Sequence, residues 1–397
     1  MFRNMGPGVL VAAAFIGPGT VTACTLAGLH FGYALLWAMG LSMLATMVLQ
    51  EMSARLGLIS QKGLAEVIRQ QIGKPFFRYL FLGIILCAIV IGNAAYEGGN
   101  IGGAGLGLEA VMGPTYSNYH PFVIGAITIL LLAVGNYKLL EKVLVSLVII
   151  MSISFLLTAM VTKPDFFGIL KGLFVPRLPK DSILTVIALV GTTVVPYNLF
   201  LHASLVGEKW KRTEDLKMVK RDTFVAILVG GLVSMAVIIA ATTIPVKDLV
   251  SVLDMAKSLE PLYGNAARYF MGVGLFAAGI TSAITAPLAA AYVAQSCFGW
   301  QGGMKDPRFK SVWLLIVVMG MLSLSLGIKP LEVIKFAQIA NGVLLPVVAV
   351  FLVWVVNRKG LMGIHKNTPF QNVLGILTIV MSLFLGLKSI FKVIGTF

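Results

Sequence analysis

Apolar residues run along this chain in blocks of about twenty, the length at which a helix crosses the hydrocarbon core of a bilayer. Short clusters of Gly, Pro, Asn, Lys and Arg separate the blocks. The pattern predicts helices at 8–30, 34–56, 78–108, 121–138, 142–162, 183–206, 222–245, 265–298, 311–328, 331–356 and 371–395, eleven in all. Two of them carry proline in the middle. The first is interrupted at Gly17-Pro18-Gly19-Thr20, the sixth at Val195-Pro196-Tyr197-Asn198. Proline removes a backbone donor and clashes with the preceding turn, so both helices are expected to unwind there. Unwound backbone at membrane depth is tolerated only against protein or a cavity. Matching breaks in two halves of a chain point to a transporter's binding site.

Composition narrows the class further. Of 397 residues, 58% are hydrophobic and 12% charged, which excludes a soluble domain. Cys24, Cys87 and Cys297 all lie in apolar runs and offer neither a disulfide framework nor metal-ligand spacing. The net charge of +15 is read as basic loops on one membrane face and not as a nucleic-acid surface. With the N-terminus inside, 20 of the 31 Lys and Arg fall in inner segments, and an odd helix count leaves the C-terminus outside. The densest charge, at 210–221, reads as a solvated linker between halves. No signal-peptide cleavage pattern replaces the first helix, which is read as part of the mature chain.

The expected fold is an all-α polytopic membrane protein of the leucine-transporter type. Helices 1–5 and 6–10 form a 5+5 inverted repeat, with helices 1 and 6 broken. The divisions are 1–162 for the first repeat, 163–221 for a loop, the broken helix 6 and a linker, 183–357 for the second repeat, and 358–397 for the added helix 11.

The motifs resemble the Nramp family (natural resistance-associated macrophage proteins). GPGVLVAAAFIGPGTVTACTLAG is similar to that family's first helix and LQEMSARLGL to its second. GTTVVPYNLFLHASLV is similar to the sixth, AAGITSAITAPLAAAYVAQ to the eighth and FAQIANGVLLP to the tenth. The resemblance implies proton-coupled carriage of divalent metals. Yet the family's Asp-Pro-Gly-Asn is here Gly17-Pro18-Gly19-Thr20, and its Met-Pro-His-Asn is Val195-Pro196-Tyr197-Asn198. An acidic pair on the third helix is reduced to Glu97, with Ala94 in the first place. A carboxylate, a thioether and an imidazole are therefore missing from the site.

The substrate-binding residues implied are Gly17, Thr20, Thr192, Val195, Asn198 and Gln338. Thr20, Thr192 and Gln338 are expected to meet a metal weakly, through oxygen or water, with freed carbonyls near Gly17 and Thr193 beside them. Loss of the thioether removes the preference for soft ions, and oxygen donors suit hard or hydrated ones such as magnesium, with manganese still possible. The alternative is that the metal site is gone. The N–H groups at Gly17-Pro18-Gly19 would then suit an amino acid or organic acid. Glu97, the acidic residue set well inside a span, together with His202 and Tyr197, is assigned to proton transfer or coupling. The glycines following Glu97 read as tight helix packing. Pro287 reads as a kink relieved by nearby hydroxyls, and Glu51 as an ion pair with Arg55.

A secondary transporter working by alternating access, a symporter on the family's pattern, is thus expected, and not an enzyme. It needs no cofactor, and oligomerisation is not required. Its partners are the lipid bilayer and the transported ion or small solute, with no nucleic acid. The expected location is a bacterial inner-membrane type of plasma membrane, multi-pass, with the N-terminus cytoplasmic.

Overall fold

In a computed structural model, residues 6–8, 16–134, 138–245 and 251–394 are described. Among them the secondary structure is helical throughout, without strands. Each predicted helix has its counterpart. They are α1 (Pro18–Phe31), α2 (Leu36–Ser60), α4 (Pro75–Met112), α5 (His120–Val134), α6 (Lys138–Val161) and the pair α8 (Ile183–Thr193) and α9 (Pro196–Lys209). The remainder are α10 (Leu216–Ala241), α11 (Ala267–Phe298), α12 (Pro307–Ser325), α13 (Pro330–Val356) and α14 (Pro369–Ile394). Two shorter helices, α3 (Leu64–Gln71) and α7 (Phe166–Phe174), lie in connections expected to be loops.

Proline opens α1, α4, α9, α12, α13 and α14 at the first helical position, where its missing donor has no intrahelical partner to lose. The Asp165 carboxylate accepts from the Phe167 N–H at 3.0 Å and starts α7. That helix turns back at 117° from the end of α6. The charged stretch at 210–221 is a linker only in its first part. A short 3-10 turn at Thr213–Asp215 leads into α10, so Lys217, Lys220 and Arg221 are helical. The start of the first predicted helix, through 9–15, lies outside the described residues, as do Arg3 and the side chains of Lys138 and Lys142.

The glycines after Glu97 make α4 the packing axis. A Cβ on Gly99 would touch Ile334 and Ala337 of α13, and one on Gly102 would meet Pro330 at 3.2 Å. Gly107 meets the α11 backbone at Gly272 and Phe276, and a Cβ on Gly103 would overlap the Pro18 ring of α1. Small residues let helix backbones approach where lipid gives no hydrophobic drive to associate. Large apolar side chains such as Leu130, Val134, Phe224 and Val380 instead face outward from the bundle. Pro287 leaves α11 continuous. Thr281 and Thr285 donate to carbonyls one turn back, and Asn93 of α4 donates to the Ala286 carbonyl at 2.7 Å.

Candidate functional site

The sixth predicted helix is broken where proline stands. α8 ends at Thr193, Val194 leaves helical geometry (φ −93°, ψ 68°), Val195 is extended, and α9 starts at Pro196. The Asn198 N–H turns back to the Val195 carbonyl at 3.1 Å. On the other side α1 begins at Pro18 with Gly17 extended before it. Residues 9–15 before it lie outside the described residues, so only the Gly17–Pro18 side of this expected break is seen. The Gly17 carbonyl is not freed as expected: it accepts from the N–H groups of Thr20 and Val21, both at 3.1 Å, because it closes the first turn of α1.

Gln338 joins the two breaks. A Cβ on Gly19 of α1 would overlap its side-chain amide, and a Cβ on Gly191 of α8 would overlap its backbone carbonyl. The absence of side chains at Gly19 and Gly191 is what admits α13 between α1 and α8. Gln338 Oε1 is buried and has no partner among the described residues. Asn198 is fully buried, and neither end of its amide has a partner. One turn along from Gln338, the Asn341 Nδ2 is also unpartnered. Thr192 is buried, but its hydroxyl donates to the Leu189 carbonyl at 2.8 Å, so only its lone pairs remain for a ligand. Thr20 and Val195 are also buried.

A cavity of about 410 Å³ reaches Gly19 and Gln338 from the end of the bundle where His30 and Asp181 lie; Gly17, Thr20, Thr192, Val195 and Asn198 are not among the residues lining it. Gly19, Thr22 and Gln338 line one part of it, with Thr185 on α8. His30, Asp181, Glu332 and Lys335 line it near the helix ends. Glu332 pairs with Lys335 at 2.7 Å. Toward the other end of the bundle, polar ties join the helices. Asp222 of α10 accepts from the N–H groups of Gly6 (3.1 Å) and Gly8 (2.8 Å). Arg55 donates to Glu51 at 3.0 Å, to Asn367 at 2.6 Å and to the His365 carbonyl, and Lys220 pairs with the same Glu51. The expected ion pair at Glu51 is therefore a cluster linking α2, α10 and the connection before α14.

The broken helix is held by α2. The hydroxyls of Ser42 and Thr193 share a short contact, Ser53 donates to the Leu199 carbonyl, and Gln50 Oε1 lies 2.7 Å from His202 Nδ1. With Nδ1 as the donor, His202 Nε2 is an acceptor; it is buried without a partner. The Tyr197 and Tyr96 rings meet edge to face at 5.6 Å, joining α9 to α4. Glu97 is fully buried. Its stem lies against Gly320 of α12, where an added Cβ would stand 2.7 Å from its Cγ. Its Oε2 accepts from Asn100 at 3.3 Å while Oε1 has no partner. Tyr96, and not Glu97, thus makes the ring contact with α9. Among the described residues, no three His, Cys, Asp or Glu side chains gather as a metal-ligand group.

A helical bundle with a broken helix at a polar junction, reached at Gln338 by a cavity from one end, defines a secondary transporter of the leucine-transporter fold. Solved structures share that architecture. The chain superposes on a crystal structure of the Eremococcus coleocola manganese transporter, bound to an aromatic bis-isothiourea compound, with a TM-score of 0.80. That match covers 98% of this chain and 86% of the other at 20% identity. A closed conformation of Mhp1, a nucleobase-cation-symport-1 family transporter, matches at 0.63 over 99% of this chain and 94% of that one, at 15% identity. At these identities the likeness is one of fold. The family is given by sequence: the model for natural resistance-associated macrophage protein-like chains matches residues 8–392, and the chain belongs to the Nramp family. Among its relatives, the divalent metal cation transporter MntH of Caldanaerobacter subterraneus subsp. tengcongensis is 26% identical over 387 residues, 94% of this chain and 89% of that one.

Proposed function

We propose that this chain carries a divalent metal ion across the membrane by alternating access, with a bias toward hard or hydrated ions. The observation that carries the reading is the donor set at the α8–α9 break and the neighbouring α1 and α13. Gln338 and Asn198 present unpartnered amide oxygens, and Val195 stands at the break without a donor. Neutral oxygens compensate a bare divalent charge poorly in a low-dielectric interior. Magnesium keeps several of its waters and asks the protein for few direct ligands. The printed names of the relatives, divalent metal cation transporter and manganese transporter, support the metal. The bias away from soft ions rests on the chemistry of this chain's own side chains.

The cavity at one end of the bundle and the ties toward the other fit one stage of an alternating cycle. Asp222 on Gly6 and Gly8, and Arg55 on Glu51 and Asn367, would hold the far side shut. Glu97, His202 and Tyr197 are assigned to coupling, and the N-terminus to the cytoplasmic side of a bacterial inner membrane, on the basic asymmetry of the loops. The organic-solute alternative has one observation in its favour, the unpartnered donors of Asn198 and Asn341.

Calorimetry of the purified protein with magnesium, manganese, calcium, amino acids and organic acids separates these readings. Binding of magnesium and manganese with comparable affinity, weakened in Asn198→Ala and Gln338→Ala, is expected. Strong selectivity for manganese would overturn the hard-ion bias. Binding of an acid with no metal binding would replace the metal reading by the solute one.

A further inference from the structure

A second cavity, of about 450 Å³, lies between α3, the start of α4 and the end of α11, far along the bundle from the helix breaks. Arg69, Gln70, Arg78, Tyr79, Leu82 and Leu86 are among the residues lining it. Arg69 makes no hydrogen bond or ion pair among the described residues, and its Nε is buried without a partner. Its guanidinium lies over Gly299, just past α11, yet donates to no carbonyl there. Arg78 donates its Nε to the Ile72 carbonyl at 2.9 Å and its Nη2 to the Gly73 carbonyl at 3.4 Å, which fixes the guanidinium in place at the cavity wall. Glu66, on the same helix as Arg69, is engaged with Gln70 at 3.1 Å and pairs with neither arginine.

The rest of the cavity is apolar and opens sideways. Gly83 leaves its wall bare, since nothing stands within 4 Å of where a Cβ would be. Beside it Phe76, Tyr79, Ile84 and Phe298 are exposed on the surface of a membrane-spanning bundle. Two arginines in a half-buried cleft, followed by an apolar trough running along a spanning helix, match the two ends of one molecule. Arginine presents a planar fork of donors suited to phosphate oxygens. Arg69 is half-buried with its Nε fully enclosed and unmet, a position that an anion would relieve. Basic pockets between spanning helices take anionic headgroups.

We propose that this cleft binds an anionic phospholipid, its phosphate between Arg69 and Arg78 and an acyl chain along Gly83, Leu82 and Leu86. The inference uses only the membrane-spanning fold and is independent of what the transporter carries.

The test is native mass spectrometry of the full chain released from nanodiscs of equal phosphatidylglycerol and phosphatidylcholine. The parent is expected to retain phosphatidylglycerol in preference to phosphatidylcholine. Arg69→Gln should lower that retention about fivefold, the effect of one basic residue at a lipid surface. Gly83→Leu, which fills open space and leaves the charges alone, should lower it as well. Both variants should elute as monodisperse, helical proteins. Parent-level retention in either variant, or no headgroup preference in the parent, overturns the proposal. A parallel arm adds inorganic phosphate in phosphatidylcholine nanodiscs. Saturable thermal stabilisation there, without any preference for phosphatidylglycerol, assigns the arginines to a free anion and likewise overturns lipid occupancy.

Discussion

Replacing Asn198 with leucine should make the protein more stable and less active at once. Asn198 is fully buried, and both its Oδ1 and its Nδ2 lack partners among the described residues. Each unmet buried polar group costs about 1–3 kcal/mol, and removing the group with retained shape relieves that cost. Two groups set an upper bound of about 6 kcal/mol. Imperfect packing of the new side chain offsets part of it, and about 1–3 kcal/mol is the expected gain. In thermal unfolding of the detergent-solubilised protein this corresponds to a rise in apparent Tm of about 1–4 °C.

The same substitution deletes a ligand. Saturating metal at about 100 times its Kd stabilises a folded binder by about 2.7 kcal/mol. The parent should show that metal-dependent rise and Asn198→Leu should not, while vesicle uptake collapses. Asn198→Asp is the converse: less stable than the parent without metal, and more strongly stabilised by any divalent ion. An Asn198→Leu protein that is less stable than the parent, or still stabilised by metal, would refute the claim that this amide is kept for a ligand.

Four further outcomes are expected. Glu97→Gln should leave folding intact and remove the pH dependence of uptake between about pH 5 and 8; an unchanged profile would make Glu97 a packing residue against Gly320. Gly17→Asp, Thr20→Asn and Val195→Met together should create manganese-selective binding measurable by calorimetry, since carboxylate adds charge and thioether favours softer ions. No gain in a folded triple variant would mean the cavity does not bring these positions together. Gly103→Ala, driven into the Pro18 ring, should cost about 1–3 kcal/mol, whereas Gly73→Ala, facing open space, should change the apparent Tm little. In a background without the native cysteines, Lys171→Cys should react with an impermeant label in intact cells and Lys211→Cys should not; the reverse pattern would invert the proposed topology.

The spans were legible because hydropathy over about twenty residues needs no knowledge of neighbours. The break at Val194–Pro196 was legible because proline's effect on a helix is local. α3 and α7 were missed because a helix of eight or nine residues between spans, amphipathic in α3, is too short for a search for membrane-length helices. The signal for α7 was present in Pro164-Asp165, a helix-starting pair followed by FFGILKGLF. The residues that hold the site were not legible at all. Ser42 and Ser53 secure the broken helix, while Thr46 and Ser60, of the same chemistry on the same α2, donate to carbonyls of their own turn. Which hydroxyl does which depends on the rotation of α2 against α8 and α9, and that is set by tertiary packing. The same holds for Asn341 and for Asn100 on Glu97.

The position of Glu97 bears on how a cation crosses a site so poor in charge. Gly320 brings the α12 backbone against the Glu97 stem, and Asn100 holds one of its oxygens. The carboxylate therefore sits on the α12 side of α4, whereas Tyr96 takes the side facing Tyr197 and the helix break. On the proposed reading Glu97 does not serve as the ligand that the break has lost. An ion held at Gln338 and Asn198 must then keep part of its own hydration shell, and selectivity passes from ligand softness to the space left for those waters. Gly19 and Gly191 determine that space as much as any donor, because a side chain at either would press on Gln338. Glu97 acts on Tyr197 directly through its charge as well as through the Tyr96–Tyr197 ring contact, so on this reading a change of its protonation would be felt at α9 and not as a change in the ion's inner ligands.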